Sequence, residues 1–417
     1  MSKLIIAGGH KMEGEIEVQG AKNSVLPILA AAILSDGKNI IYNCPNLSDV
    51  RTTILVLENL GCRVKREGSS VEVDSSSISG YTIPDDLMRK MRSSIVFLGA
   101  IIAKCKKAEV SMPGGCEIGN RPIDLHLKAL RQLGVEITES HGFIHCDGGN
   151  MHPANIHLDF PSVGATENTM LAACNLEGTT VIENAAREPE IVDLERFLNR
   201  MGAKVSGAGS DTVVIEGVHK LYGVEHTIIP DRIVAATYLA CALASGGSAV
   251  LKKADSSHMG AMLNVLRDMG AKIYTDKEKI VLMPSRNLKS IGTIKTMPYP
   301  GFPTDIQSPF MALCTQCMGA SVFVENIFEN RFQHIEELMR MGADIKTDGR
   351  VAVVMGKTEL SGANVIAKEL RGGAALVVAG VCAEGVTEIE NVKFIDRGYE
   401  KIEKVLSSCG IHIKRRD

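Results

Sequence analysis

The chain has 417 residues, of which 45% are hydrophobic and 23% charged, a composition typical of a globular protein with two or three domains. The formal net charge of −3 argues against a basic nucleic-acid-binding face. The longest apolar run, Val25 to Leu34, contains Pro27, so we expect neither a transmembrane span nor a secretory signal. Eleven cysteines without regular spacing favour reduced thiols and a cytoplasmic location.

Six copies of one short motif divide the chain. In each copy an amphipathic helix pattern ends in a hydrophobic residue and a glycine, and an alternating strand pattern follows. The six marker glycines, 68 to 73 residues apart, are Gly61, Gly134, Gly202, Gly270, Gly342 and Gly410. Because glycine readily takes the left-handed conformation, we predict that each marker glycine ends its helix.

A second helix pattern precedes each amphipathic helix and is apolar on all sides, as in a buried helix. The six segments are 23–34, 93–102, 165–176, 232–244, 309–318 and 372–383. A short β-branched strand follows each of them, at 40–42, 109–111, 180–182, 249–251, 322–324 and 387–389. One repeat therefore contains a strand, an amphipathic helix, a strand, a hairpin strand and a buried helix.

The last repeat is incomplete, because the chain stops seven residues after Gly410. Residues 4–18 resemble residues 353–366 in pattern and length, so we expect residues 1–21 to complete the sheet of the C-terminal half. Three repeats per domain then predict one domain over 22–229. The second, discontinuous domain would comprise 1–21 and 230–417, with a cleft between the two domains.

Charged or polar side chains recur at the predicted helix starts, where unpaired N–H groups and the helix dipole attract anions. The positions are Lys22, Arg92, Ser162, Asp231, Asp305 and Arg371 for the buried helices, and Arg121, Arg331 and Arg397 for the amphipathic ones. Any one of them can equally be a cap or a surface ion pair. Six cations directed at one cleft predict a polyanionic ligand.

The segment 112–126 joins a predicted strand to a predicted helix through three glycines and two prolines, so we expect an accessible, mobile loop. Cys116 in this loop differs from the other cysteines, which mostly lie in apolar runs. Arg121 would lower the pKa of its thiol, whereas Glu117 would raise it. His126 is equally consistent with proton transfer and with packing.

Two further patterns point away from metal and nucleotide chemistry. Cys314 and Cys317 form a C-x-x-C pair inside a buried-helix pattern with no second pair at zinc-ligand spacing, so we predict core packing. The glycine-rich stretches match neither a P-loop nor a dinucleotide fingerprint.

Several dispersed motifs resemble the family of enolpyruvyl transferases that act on UDP-N-acetylglucosamine. The motifs are residues 21–24, 113–126, 161–168, 302–307, 328–332 and 396–400. The resemblance covers essentially the whole chain. It implies an α/β fold of two inside-out α/β barrel domains, built from six βαβαββ repeats with three per domain. It also implies that the sugar 3-hydroxyl attacks phosphoenolpyruvate and phosphate leaves, as peptidoglycan synthesis begins.

The resemblance also implies roles for individual residues. Cys116 would be the acid and would also form a covalent adduct with phosphoenolpyruvate. Asp305 would be the carboxylate placed at the sugar 3-hydroxyl, and Lys22 and Arg397 would be the other catalytic residues. The implied substrate-binding residues are Lys22, Asn23, Arg92, Arg121, Pro122, Ile123, Asp124, Leu125, Ser162, Val163, Gly164, Asp305, Ile327, Arg331, Glu369, Arg371 and Arg397. No metal, organic cofactor, nucleic acid or membrane is implied, and fosfomycin is expected to react at Cys116.

Two positions depart from the family pattern. Glu369 stands where we expect aspartate, and Phe160 stands where some members carry a basic residue. The family's shikimate-phosphate branch is the alternative enzyme, but its Lys-Ser pair is not matched by Lys22-Asn23-Ser24. A catalytically silent UDP-sugar-binding regulator is the alternative outside the enzymes.

Overall fold

The computed structural model describes residues 2–112, 123–285 and 287–416, except for the side chains of Arg92 and Ser93. The strands of these ranges are β1 (Lys3–Ala7), β2 (Glu15–Glu17), β3 (Lys38–Tyr42), β4 (Arg63–Glu67), β5 (Ser70–Asp74), β6 (Thr82–Ile83), β7 (Lys107–Ser111), β8 (Glu136–Ser140), β9 (Phe143–Asp147), β10 (Asn155–His157), β11 (Thr179–Glu183), β12 (Lys204–Ser206), β13 (Thr212–Glu216), β14 (Glu225–Thr227), β15 (Ala249–Lys252), β16 (Lys272–Asp276), β17 (Lys279–Met283), β18 (Gly292–Lys295), β19 (Ala320–Val324), β20 (Asp344–Asp348), β21 (Val351–Met355), β22 (Asn364–Ile366), β23 (Val386–Glu390) and β24 (His412–Arg416).

The α-helices of the same ranges alternate between buried and amphipathic ones. They are α1 (Lys22–Ala31), α2 (Ser48–Asn59), α3 (Asp85–Lys90), α4 (Phe97–Cys105), α5 (Asp124–Gln132), α6 (Val163–Ala173), α7 (Pro189–Arg200), α8 (Arg232–Ala244), α9 (Gly260–Asp268), α10 (Thr304–Cys314), α11 (Ile335–Arg340), α12 (Leu370–Cys382) and α13 (Ile402–Ser408). Short 3-10 helices cover Ala32–Leu34, Arg92–Val96, Ser256–Met259 and Val392–Arg397.

Each repeat forms one four-stranded sheet with a constant strand order. The strand after the buried helix pairs in parallel with an edge strand on one side and antiparallel with a hairpin strand on the other. The orders are β14-β3-β5-β4, β6-β7-β9-β8, β10-β11-β13-β12, β2-β15-β17-β16, β18-β19-β21-β20 and β22-β23-β1-β24. Alternate side chains along the central strands are buried, so each sheet has one face on a core and one toward solvent.

The sixth sheet takes its hairpin strand from the other end of the chain. β1 lies between β23 and β24, with Leu4 opposite Ile389 and Lys3 opposite Arg416. β2 pairs in parallel with β15, and β14 pairs in parallel with β3. The expectation that the N-terminal strands complete sheets of the C-terminal half is therefore confirmed.

The described chain divides into two units. One, here the Lys22 unit, contains the described residues of 20–112 and 123–229; the other, the Asp305 unit, contains those of 2–19 and 230–416. Each has its own hydrophobic core. In the Asp305 unit the apolar helices α8, α10 and α12 pack against one another, and in the Lys22 unit α4 packs against α1 and α6. The domain boundaries at 21/22 and 229/230 stay a prediction.

The marker glycines end their helices as predicted. All six have positive φ angles, between 84° and 99°. Several helix boundaries differ from the predicted ones; α10, for example, begins at Thr304 and not at Pro309. Its first turn carries Thr304, Asp305 and Gln307, whose polarity hid it from a search for an apolar helix. No helix in the described ranges is long and apolar enough to cross a membrane.

Candidate active site

In the Lys22 unit the first predicted cation forms a buried ion pair. Lys22 is the first residue of α1, as its position before Gly61 predicts, and Asn23 follows it. The Lys22 Nζ lies 2.7 Å from the Asp49 Oδ2, and Asp49 is in the first turn of α2. Both side chains are almost fully shielded from solvent. The carboxylate therefore holds the ammonium group at the start of α1.

The start of α6 carries three predicted ligand-binding residues. Ser162 is the N-cap, and its Oγ accepts a hydrogen bond from the Ala165 N–H at 3.3 Å. Val163 and Gly164 form the first turn and are half-buried. The end of an eleven-residue helix with a polar cap is suited to an anionic group.

His126 lies against this helix start. A Cβ atom placed on Gly164 would come within 2.7 Å of the His126 Cε1, so only glycine allows this approach. The Asn168 Oδ1 accepts from the Gly99 N–H, and its Nδ2 therefore faces the His126 Nδ1 at 2.7 Å. Because an amide nitrogen can only donate, the Nδ1 accepts and the proton of a neutral ring sits on Nε2.

Three predicted residues, Cys116, Arg121 and Pro122, lie outside the described residues. Arg92 begins the 3-10 helix Arg92–Val96. Of the remaining residues of this segment, Asp124 is exposed at the start of α5, and Ile123 and Leu125 are half-buried. Phe160, the second departure from the family pattern, is 43% exposed.

In the Asp305 unit the structure brings four predicted residues together, here called the Asp305 cluster: Asp305, Arg331, Glu369 and Arg371. The Asp305 Oδ1 accepts from the Arg331 Nη2 at 3.2 Å, and its Oδ2 accepts from the Arg371 Nη2 at 2.9 Å. Asp305 keeps 25% of its side chain exposed while both arginines are buried. Two guanidinium groups thus orient a carboxylate that solvent can still reach.

Glu369 fixes the backbone beside Arg371. It is the N-cap of α12 and accepts from the backbone N–H groups of Arg371, at 2.7 Å, and Gly372. Its Oε2 also lies 3.7 Å from the Arg331 Nη1. Burial acts to lower the pKa of Arg371, but the electrostatic interactions with Asp305, Tyr399 and Asp231 and the hydrogen bond to Tyr399 together outweigh burial, and the pKa is raised. Arg371 is therefore always a cation here.

Glu325 connects the Ile327 loop to α10. Its buried carboxylate accepts from the backbone N–H groups of Ile327, at 2.9 Å, and Phe328, at 3.1 Å, and from the Thr304 hydroxyl at 3.0 Å. The residues before Asp305 and around Ile327 are thereby held together.

The expectation that Arg397 begins an amphipathic helix is wrong. Arg397 is the last residue of the 3-10 helix Val392–Arg397, and α13 begins five residues later at Ile402. Arg331 also lies before its helix, in the turn that precedes α11. These two segments carry Gly398 and Asn330, which favour turns and delay the helix.

Sequence reasoning missed three polar residues that hold the predicted ones in place: Asp49, Glu325 and Tyr399. Asp49 was within reach, because it lies 12 positions before Gly61, the same helix-start offset that Arg121 and Arg397 occupy within one residue. Glu325 and Tyr399 have no such signal, because nothing in the sequence pairs Glu325 with Thr304 or Tyr399 with Arg371 and Thr237.

The cysteine pair is buried in the core, as predicted. Cys314 and Cys317 are both fully buried, and all ten cysteines of the described ranges are free thiols. In these ranges no group of three His, Cys, Asp or Glu side chains is arranged to hold a metal ion.

Comparisons with known proteins agree on one family. The family model described as EPSP synthase (3-phosphoshikimate 1-carboxyvinyltransferase) matches residues 6–406. UDP-N-acetylglucosamine 1-carboxyvinyltransferase 2 of Caldanaerobacter subterraneus subsp. tengcongensis is 53% identical over 415 residues, 100% of both chains. UDP-N-acetylglucosamine 1-carboxyvinyltransferase 1 of Carboxydothermus hydrogenoformans is 48% identical, over 100% of this chain and 98% of the relative.

Solved structures share the fold at much lower identity. The enolpyruvyl transferase NikO from Streptomyces tendae has a TM-score of 0.90 at 22% identity, over 99% of this chain and 98% of that one. EPSP synthase from Acinetobacter baumannii has a TM-score of 0.79 at 17% identity, over the full length of both chains. The predicted enolpyruvyl transferase fold is confirmed.

Proposed function

The chain belongs to the EPSP synthase family of enolpyruvyl transferases, and on that basis we propose that it transfers the enolpyruvyl group of phosphoenolpyruvate to the 3-hydroxyl of UDP-N-acetylglucosamine. Phosphate is released, and the product enters peptidoglycan synthesis as its first committed intermediate. The enzyme thereby serves cell-wall formation, on which cell shape and division depend.

The choice of acceptor rests on one observation. Relatives named for UDP-N-acetylglucosamine are 53% and 48% identical over essentially the full length. The structure named EPSP synthase is only 17% identical and supports the fold alone. The family model, whose description names the shikimate branch, matches residues 6–406 and shows the family.

We propose that the reaction proceeds by addition and elimination. The 3-hydroxyl oxygen bonds to C2 of phosphoenolpyruvate, and its proton passes to the Asp305 carboxylate. Cys116 gives its proton to C3, which becomes a methyl group. The methyl group then loses a proton, the double bond re-forms, and phosphate leaves C2 with the bonding electrons. Arg331 and Arg371 keep Asp305 oriented as an acceptor.

The remaining residues would bind the two substrates. Lys22, Arg121 and Arg397 bind the phosphate and carboxylate of phosphoenolpyruvate, with Arg92, Arg331, Glu369 and Arg371 nearby. The others contact UDP-N-acetylglucosamine, and the start of α6 is suited to its diphosphate. The UDP-N-acetylglucosamine set is Asn23, Pro122, Ile123, Asp124, Leu125, Ser162, Val163, Gly164 and Ile327.

The Lys22 unit and the Asp305 unit correspond, in this proposal, to the two family domains. A cytoplasmic location is also part of the proposal, supported by the ten free thiols of the described ranges. We propose that the enzyme needs no metal, because positioned cations neutralise the charge that develops on phosphate.

A phosphate-release assay tests the proposed reaction. The protein is incubated with phosphoenolpyruvate and either UDP-N-acetylglucosamine or shikimate 3-phosphate as acceptor. Release with the first acceptor only is the expected result. Release with shikimate 3-phosphate only would assign the chain to the other branch. Binding of UDP-N-acetylglucosamine without release under any condition would favour the silent binder.

The role of Cys116 is tested with fosfomycin, an epoxide that a thiolate can open. We expect a single covalent adduct by mass spectrometry, lost in Cys116→Ala. Cys105→Ala is the matched control, because Cys105 is a half-buried thiol of the same unit whose pKa is raised by burial. Cys116→Ala should also lose turnover while it keeps its affinity for UDP-N-acetylglucosamine. Unchanged turnover would exclude Cys116 as the acid.

A further inference from the structure

Tyr399 has no part in the proposed reaction, yet it contacts the Asp305 cluster from within the core. Its side chain is 1% exposed. The Tyr399 Oη lies 3.4 Å from the Arg371 Nη1, and the Arg371 Cζ lies 5.7 Å from the centre of the tyrosine ring. The hydroxyl and the ring thus both touch the guanidinium group that binds Asp305.

The hydrogen bonds of this contact form a chain with one possible direction. An arginine can only donate, so the Tyr399 Oη accepts from the Arg371 Nη1. The Thr237 Oγ1 donates its only proton to the Ile233 carbonyl at 2.9 Å. At 2.8 Å from the Tyr399 Oη, it must therefore accept the tyrosine proton. The chain runs from Arg371 through Tyr399 and Thr237 to the backbone of α8.

This hydrogen-bond chain restrains the guanidinium group of Arg371, which the N-cap bonds to its backbone do not. Glu369 fixes the main chain of Arg371 through its N-cap bonds. The guanidinium at the other end of the side chain has one amino group on the Asp305 Oδ2 and the other on Tyr399. A long side chain that is anchored at both ends loses most of its rotamer freedom, so its bond to Asp305 has a defined direction.

The charges around Asp305 make this direction important. Arg331 and Arg371 both bind its carboxylate, and Arg331 also lies near Glu369. Asp231, the N-cap of α8, acts electrostatically on Arg371 and Tyr399. A displaced Arg371 would lose its hydrogen bond to the Asp305 Oδ2, and the carboxylate would lose that orienting contact.

We propose that Tyr399 is a positioning residue for enolpyruvyl transfer: supported by Thr237, it holds Arg371 in the orientation that aligns the Asp305 carboxylate with the acceptor hydroxyl. This inference rests on the proposed function for its kinetic consequences. Its structural consequence, the ionisation of Asp305, is independent of turnover.

The first test is the steady-state kinetics of Tyr399→Phe with UDP-N-acetylglucosamine and phosphoenolpyruvate. The variant keeps the ring and removes the hydroxyl, so we expect kcat to fall by about tenfold, with both KM values within about twofold of wild type. Thr237→Val should lower kcat in the same direction, whereas Thr237→Ser, which keeps the acceptor oxygen, should restore it.

The matched control is Tyr238→Phe. Tyr238 is a fully buried tyrosine of the same core, and within the described residues its hydroxyl has no hydrogen bond to Arg371 or Asp305. It should leave kcat and both KM values unchanged. A kcat loss in Tyr238→Phe equal to that in Tyr399→Phe would show a general packing defect and overturn the proposal.

A pH titration supplies the readout that altered packing alone would not produce. A carboxylate that loses part of its cationic partner is protonated more easily, so the acid limb of kcat in Tyr399→Phe should move to higher pH by about half a unit or more. Carbon-13 NMR of aspartate-labelled protein follows the Asp305 carboxyl group directly, with its signal assigned by comparison with Asp305→Asn. The midpoint of its titration should also move to higher pH in Tyr399→Phe.

The outcomes separate this inference from the proposed function. Wild-type protein without phosphate release refutes the reaction, and the NMR titration then decides the Tyr399 contact by itself. An Asp305 titration unchanged in both Tyr399→Phe and Thr237→Val overturns the inference even if the reaction is established. If Tyr399→Phe does not fold, Thr237→Val and Thr237→Ser provide the same comparison.

Discussion

The ion pair between Lys22 and Asp49 gives the sharpest stability prediction. We consider Asp49→Asn, which keeps the shape of the side chain and removes its charge. The lysine remains at the start of α1 with only 10% of its side chain exposed, and Asp49 is 3% exposed. A buried cation whose partner has been neutralised keeps its desolvation cost and loses the compensating attraction.

The magnitude follows from burial. Breaking a buried ion pair by removing one partner costs about 3–5 kcal/mol, whereas an exposed pair contributes about 1 kcal/mol or less. Lys104 and Asp36 form a more exposed pair in the same unit, also at 2.7 Å, with side chains 21% and 58% exposed. Asp36→Asn therefore matches the chemistry and the distance, and the two variants should differ by about 3 kcal/mol.

Urea unfolding followed by far-ultraviolet circular dichroism measures this difference, since the chain has no tryptophan. At an m-value of about 2 kcal/mol per molar urea, the Asp49→Asn midpoint should lie about 1–2 M below that of Asp36→Asn. Saturating phosphoenolpyruvate should raise the Asp49→Asn midpoint more than the wild-type midpoint, because an anionic ligand supplies the missing countercharge.

Equal midpoints for Asp49→Asn and Asp36→Asn would refute the reasoning, because burial would then make no difference to the pair. If Asp49→Asn is destabilised but phosphoenolpyruvate raises its midpoint no more than that of wild type, the ion pair contributes to stability as argued. Lys22 is then not part of the ligand site.

Two further predictions concern backbone strain and pH. Gly270 has a φ of +97° and no atom within 4 Å of an added Cβ, so Gly270→Ala should lower the free energy of unfolding by about 1–2 kcal/mol through backbone strain alone. Gly260 is helical and equally open, so Gly260→Ala should be neutral or stabilising. Equal urea midpoints for the two variants would contradict this prediction. Burial, together with Arg331, lowers the pKa of His334 from 6.5 to about 3. Between these two pKa values only the unfolded chain binds a proton at His334, so the free energy of unfolding is highest above pH 6.5 and falls by about 2 kcal/mol between pH 6.5 and 5. His334→Gln should remove this fall, and a variant with the same pH dependence as wild type would contradict the prediction.

The architecture was largely predictable because it repeats. One marker glycine per repeat, repeated helix and strand patterns, and spacings of 68 to 73 residues carry the same information six times. An error in one repeat, such as the late start predicted for α10, is visible against the other five. The location of β1 was predictable for the same reason, since the sixth repeat lacked one strand.

The candidate site was predictable in its charged residues and not in its supports. Asp305, Arg331 and Arg371 lie in three separate segments of the chain, and the helix-start rule identifies them without giving their distances. Nothing in the repeat pattern pairs Glu325 with Thr304 or Tyr399 with Thr237, so no periodicity reveals these contacts. The His126 tautomer follows from its hydrogen bond to the Asn168 amide, whose orientation is fixed by the Gly99 N–H, and only the structure shows these two bonds.

The position of β1 sets an order of events during synthesis. It leaves the ribosome long before its neighbours β23 (Val386–Glu390) and β24 (His412–Arg416) are synthesised. At about 5–20 residues per second, β1 waits tens of seconds for them, with both edges open to solvent. The Lys22 unit has all its strands by residue 229 and can fold first. The sheet that contains β1 should therefore form after the Lys22 unit has folded.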